Sequence, residues 1–224
     1  MYKLVIAITI LIVVFIMFLF KLRKQTISEL NKVLLIDNNP KLYLELLNNK
    51  RLNLLFEKAS IEHLRLKAYL ILNDEKLIED SFDKLDQMKL SKGERVEYNT
   101  LKLSYYAKKV NAEKSKEALE ELEILLDNAR TEESKEILKD AKIIYEVYVA
   151  KNNTVHKELQ KLSKEQNGLK KGITLFRLAK LSNYQGNNDS VNKYLNEALK
   201  YSKGSTYELI IEECLKDNSK LNEY

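Results

Sequence analysis

One apolar spacing returns four times along this chain, and it limits the possible folds more than any other feature. Ser81, Leu85 and Met88 stand at i, i+4 and i+7, the stripe of a buried helix face. The spacing returns as Ala118, Leu122, Leu125, then as Val155, Leu159, Leu162, and last as Val191, Leu195, Ala198. The starts are offset by 37, 37 and 36 residues. A second column, Leu64, Leu101, Leu138 and Phe176, runs about 17 residues ahead of the first. Three residues after its last three members come small ones, Ser104, Ala141 and Ala179, which would let a neighbouring helix approach closely.

Polar breaks separate the two columns: "NDEK" at Asn73, "KKVN" at Lys108, "KNNT" at Lys151 and "QGNND" at Gln185. Others separate the units: "SKGE" at Ser91, "NART" at Asn128, "NGLKKG" at Asn167 and "SKGST" at Ser202. Each unit therefore reads as an A helix, a tight turn and a B helix. Composition agrees. The chain has one proline and five glycines, where average usage would give about 11 and 16. Sheets and irregular loops draw on those residues for turns, so the class is all-α. Gly93, Gly168, Gly172, Gly186 and Gly204 are all expected at turns. Two columns in register over four units favour a repeat over an ordinary helical bundle, the alternative for so helical a chain.

The last unit, "ITLFRLAKLSNYQGNNDSVNKYLNEALKYSKGS", resembles a tetratricopeptide repeat. Leu178 and Ala179 stand where that family places its Leu-Gly pair, and Gly186 fits the glycine ending the first helix. Val191 fits the first small residue of the second helix. Leu195, Ala198 and Leu199 fit its aromatic-x-x-Ala-Leu stretch. Lys203 replaces the family's terminal proline and Leu175 its early tryptophan, and the period near 37 exceeds the usual 34. The other three units share the spacing rather than the letters. The resemblance implies a right-handed α-solenoid of antiparallel helix hairpins whose A helices line a concave groove for a peptide or a partner's helix. Carried over by position, the groove would present Tyr105, Lys108, Lys142, Tyr145, Lys180 and Asn183. That mixture of aromatic and basic groups suits an acidic segment, through stacking and charge-assisted hydrogen bonds. The plainer reading of the six is a solvated helix face.

Ahead of the repeats, residues 4–20 form an uncharged run of 17, followed at once by Lys21, Arg23 and Lys24. A helix of that length covers about 26 Å, at the short end for a bilayer core of ~30 Å. Lys3 and Lys21 can snorkel, Tyr2 suits the interface, and the Thr9 hydroxyl can bond back one turn. The run ends in "FIMFLFK", with large side chains where a cleavable signal needs small ones. The expectation is an uncut single-pass anchor, with a removed signal and a buried core helix as alternatives. The heavier basic flank follows the run, which places the C-terminal domain in the cytoplasm by the positive-inside rule.

The remaining charge is nearly balanced. Four of the 38 basic residues and none of the 33 acidic ones lie in residues 1–24, leaving 34 basic against 33 acidic. A nucleic-acid partner is therefore not expected. His63 and His156 fall in different units without ligand spacing, and Cys214 is the only cysteine. No phosphate loop or nucleophile motif occurs. No enzyme activity, cofactor or metal is expected.

The expected organisation is a membrane anchor with its basic flank over residues 1–24 and N-terminal capping helices over 25–51. These helices run near Thr26 to Ile36 and then start again at Pro40. Four tetratricopeptide-like hairpins follow over 52–203, and a capping helix over 204–224. The expected function is a membrane-anchored scaffold that binds a protein or peptide near the cell membrane, with the lipid bilayer itself contacted through residues 4–20. The alternative is an extracytoplasmic envelope chaperone or assembly factor with the opposite topology. An unrecognised enzyme is the remaining class.

Overall fold

In the computed structural model the described residues are 2–127 and 131–224, less the side chains of Lys3, Leu4, Ala7 and Ile8. The expected break at Asn128 lies outside them. All secondary structure among the described residues is helical. The chain divides into two compact units, Met1–Arg95 and Val96–Tyr224.

The first unit begins with α1 (Tyr2–Asn31), which runs on through one π turn, Lys32–Ile36. The helix expected from Thr26 is thus a continuation of the apolar run and not a separate element. Nothing between Lys21 and Thr26 breaks a helix, and the Thr26 hydroxyl donates to the Leu22 carbonyl at 2.9 Å. The Thr9 hydroxyl donates to Val5 in the same way, also at 2.9 Å. The two ends of α1 differ in surroundings. Leu30 packs in a core with Leu34, Tyr43, Leu47, Leu52, Leu64 and Ala68. Val5, Ile6, residues 10–18 and Phe20 are exposed.

Among the described residues, no helix is long and apolar enough to cross a membrane. The expected span over residues 4–20 is described only in part. Leu4, Ala7 and Ile8 of the expected span lie outside the described side chains.

After the π turn, Asn38 takes a left-handed backbone (φ 47°). Asn39 then caps α2 (Pro40–Leu47) by accepting from the Leu42 amide at 3.0 Å, with Pro40 at the first helical position. The short α3 (Leu52–Leu55) leads to the first hairpin, α4 (Lys58–Leu72) and α5 (Glu75–Asp86). Helix α6 (Lys92–Lys108) opens with a capping box. The Ser91 amide donates to Glu94 at 3.0 Å, and the Glu94 amide to the Ser91 hydroxyl at 3.4 Å. Ser60 of α4 donates to the other Glu94 oxygen at 2.6 Å. Burial works to raise the Glu94 pKa, but these hydrogen bonds outweigh it and hold the carboxyl below its ordinary value.

In the second unit α6 pairs with α7 (Ala112–Leu126), and Leu103 packs against Ala118 and Leu122. Helix α8 (Glu132–Ile144) packs on α7 and continues through a π turn, Tyr145–Val149; a short 3-10 turn, Asn153–Val155, then leads into α9 (His156–Glu165). The last hairpin is α10 (Gly168–Tyr184) with α11 (Asn188–Tyr201), and α9 packs on α10. Helix α12 (Thr206–Lys216) and a 3-10 segment, Asn218–Asn222, follow it. Their side chains share a core that includes Val155, Leu159, Phe176, Leu195, Ile211 and Leu221.

The four hairpins close by the same device. Asn73, Val110, Lys151 and Gly186 each take a left-handed backbone, with φ of 53°, 55°, 50° and 69°. The next residue is always Asp or Asn, and its side chain caps the second helix, except that Asn152 caps the 3-10 turn ahead of α9. Asp74 accepts from Leu77, Asn111 from Lys114, Asn152 from Thr154 and Asn187 from Ser190. The left-handed residue reverses the chain and the cap satisfies an amide that the helix leaves orphaned. Of the B-helix triplets, the first two members are buried in all four hairpins, and the third is half-buried except for the fully buried Ala198. In the A helices, Leu64, Phe176, Ala141 and Ala179 are buried as expected, whereas Leu101 and Leu138 are half-buried and Ser104 is exposed. In α6 the packed position passes to Leu103. Gly186 and Gly204 stand at turns with positive φ, and Gly168, also at positive φ, opens α10, but Gly93 and Gly172 lie inside helices.

Candidate functional site

The six expected groove residues all lie in the second unit, in three environments. Tyr105 of α6 is buried, edge-on to Tyr106 at 5.1 Å between centroids, with the Lys109 ammonium 6.0 Å from its ring. Lys108, at the end of that helix, is exposed. Lys142 and Tyr145 come together where α8 passes into its π turn. They border a shallow pocket of about 360 Å³ with Lys116, Glu120, Glu123 and Glu146. Lys142 pairs with Glu123 at 2.9 Å. Three carboxylates beside two lysines make this pocket acidic on balance, unlike the basic face expected.

Lys180 and Asn183 form the third environment, and the most developed one. Helix α10 is buried on nearly all sides, from Thr174 to Ser182 except Arg177. Lys180 lies within it at 2% exposure. Its ammonium donates to the Leu221 carbonyl and stands 4.9 Å from the Tyr148 ring and 5.7 Å from the Tyr184 ring. Desolvation pulls the lysine pKa down to about 8; the Cys214 thiol opposes this, and Lys151 adds to it. A buried cation is costly unless paired. Here one carbonyl and two aromatic faces supply the compensation. One turn on, the Asn183 amide donates to the Asn222 side chain at 3.2 Å.

A second layer supports the first. Arg177 is paired with Asp140 of α8 and hydrogen-bonded to Tyr148. Burial works to lower the Arg177 pKa, but Asp140 and Tyr148 outweigh it and raise it. Burial raises the Tyr148 phenol, against the pull of Arg177, and pushes Tyr184 up to about 12. Phe176 meets Tyr207 of α12 edge-on at 5.8 Å.

Tyr148, Tyr184, Arg177 and Asp140 were not singled out in the sequence. Arg177, Lys180 and Tyr184 fall at i, i+3 and i+7 on one helix face, which is a usable signal. Tyr148 lies in the π turn and has no spacing signal. The segment that carries Leu221 and Asn222 was expected only as part of the cap.

The first unit carries a different feature. An open groove of about 750 Å³ is bordered by Leu22, Leu30, Val33, Leu46, Leu52, Leu54 and Leu55, with Thr26, Glu29, Asn49 and Arg51. It begins two residues after the exposed apolar run of α1 ends. Among the described residues, no group of three or more His, Cys, Asp or Glu side chains could hold a metal ion. His63 is buried in α4, and His156 meets Tyr194 edge-on at 6.4 Å. Comparison of the chain with protein-family models, with curated proteins and with solved structures gives no match.

Proposed function

We propose that this chain is a membrane-tethered scaffold without catalytic activity, built of tetratricopeptide-like hairpins that bind a protein or peptide partner. In this reading residues 4–20 enter the bilayer as a single pass, and the C-terminal domain lies on the cytoplasmic side. One observation carries the tether. Helix α1 seats Leu30 in the folded core at one end and leaves Val5, Ile6, residues 10–18 and Phe20 exposed at the other. Fully burying such a side chain is worth about 1.5–3 kcal/mol. These side chains are half-exposed, so the set favours a lipid environment by something on the order of 10 kcal/mol. Lys21, Arg23 and Lys24 then stand where anionic headgroups would meet them.

The binding role is supported by the shared hairpin closure and by the cluster around Lys180. A tether also raises the concentration of a captured partner at the membrane. Protease accessibility of the expressed full chain tests the arrangement. The reading expects the hairpins to be protected in intact cells and cleaved after permeabilisation, with the protein retained by membranes at alkaline pH. Cleavage in intact cells would reverse the topology, and release at alkaline pH would remove the anchor.

A further inference from the structure

The segment Asn218–Asn222 relates to helix α10 as a bound peptide would. Leu221 is fully buried, in one core with Phe176, Leu178, Ile211 and Cys214. Its carbonyl accepts from the buried Lys180 ammonium, and the next side chain, Asn222, accepts from Asn183. The contact thus has an aliphatic anchor, a backbone carbonyl on a cation and a side-chain amide pair. The chain after this segment is fastened by Tyr224, whose hydroxyl donates to Glu213 of α12. Ser219 is exposed and its amide donates to Asp217, Lys220 pairs with Glu223, and the buried Asn218 amide oxygen has no hydrogen-bond partner.

Without an acceptor, Lys180 would be a buried cation facing only aromatic rings. The site therefore requires some oxygen at the place the Leu221 carbonyl now fills. We propose that residues 218–222 are a built-in occupant of a peptide-binding face on α10. The partner recognised there is a short 3-10 segment of the same kind: an aliphatic residue whose carbonyl reaches Lys180, followed by Asn or Asp facing Asn183. Binding of the partner displaces the chain's own segment. This rests on the binding role proposed above and not on the membrane tether, so it can fail while the tether stands.

The test uses the full chain in detergent and a fluorescein-labelled peptide of residues 217–224, DNSKLNEY. In the L221D variant the chain's own segment is released. That variant binds the peptide at least tenfold more tightly than the wild type, whose site is already filled. Adding K180M to L221D lowers that binding tenfold or more. A peptide with Asp in place of its Leu does not compete. Equal binding by L221D and wild type, or none by either, would overturn the proposal and leave the segment a structural cap. If L221D loses its helical circular dichroism, L221A replaces it in the same titration and is read the same way.

Discussion

The buried Glu62 carboxylate on α4 accepts a hydrogen bond from the Ser81 hydroxyl on α5 at 2.8 Å, which joins the two helices of the first hairpin. Ser81 is fully buried at a position where the other three hairpins carry Ala118, Val155 and Val191. Its hydroxyl is there for Glu62, whose other partners are Arg65 at 3.2 Å and Lys84 at 3.6 Å. S81A, although it matches the later hairpins, is therefore expected to destabilise by about 1 kcal/mol. In an E62L background the same change is expected to cost less than half of that. Urea melts of the four proteins check this, and an unchanged S81A midpoint would contradict it.

Gly172 marks a close approach of α10 to the end of α11. A Cβ there would collide with the Ser202 hydroxyl and stand 3.4 Å from the Ala198 carbonyl. That hydroxyl is buried without a hydrogen-bond partner. G172A is expected to lower stability by about 1–3 kcal/mol through overpacking. S202A alone is expected to be neutral or stabilising, and the double variant to recover much of the loss. Thermal melts that show simple additivity would rule out this contact as the cause.

Val110 carries a β-branched side chain at φ 55°, in a turn where the other hairpins use Asn73, Lys151 and Gly186. Left-handed backbone costs an ordinary residue roughly 1–2 kcal/mol, and asparagine less. Val110 is half-exposed, so its replacement sacrifices little packing. V110N should raise stability by about 1 kcal/mol, read as an upward shift of the urea midpoint with an unchanged slope.

Lys180 makes stability depend on pH with a definite sign. Burial lowers its pKa from 10.5 to about 8. Between those values the unfolded chain binds more protons than the folded one, so stability rises with pH. Cys214, raised by burial from 9.0 to about 11, works in the opposite sense above pH 9. The clearest window is therefore pH 8 to 9. There the lysine contributes a rise of about 1 kcal/mol. K180M is expected to remove that slope, and a slope unchanged in K180M would place its origin elsewhere.

The hairpins were legible in the sequence because their signals are local. A polar break carrying Asp74, Asn111, Asn152 or Asn187 caps a helix wherever it falls, and the triplet at Val191, Leu195 and Ala198 needs only helical geometry to make a buried stripe. The unbroken course of α1 was not anticipated, although residues 21–26 contain no breaker. Gly172 was misplaced because glycine serves close approach as well as turns. The π turn at Tyr145–Val149 leaves no periodic trace, and it is this turn that brings Tyr148 to Lys180. The seating of Leu221 on α10 joins residues 41 apart in sequence, a relation that only the packed chain defines.

Vesicle flotation of the full chain tests the membrane tether most directly. The wild type should rise with anionic vesicles and stay bound in 1 M salt, where Debye screening falls to about 3 Å and basic residues alone would release it. A variant with lysine at Val13 and Ile16 should remain at the bottom of the gradient with unchanged helical content. A wild type that stays at the bottom, or a lysine variant that floats as well as the wild type, would contradict an anchor formed by the exposed end of α1.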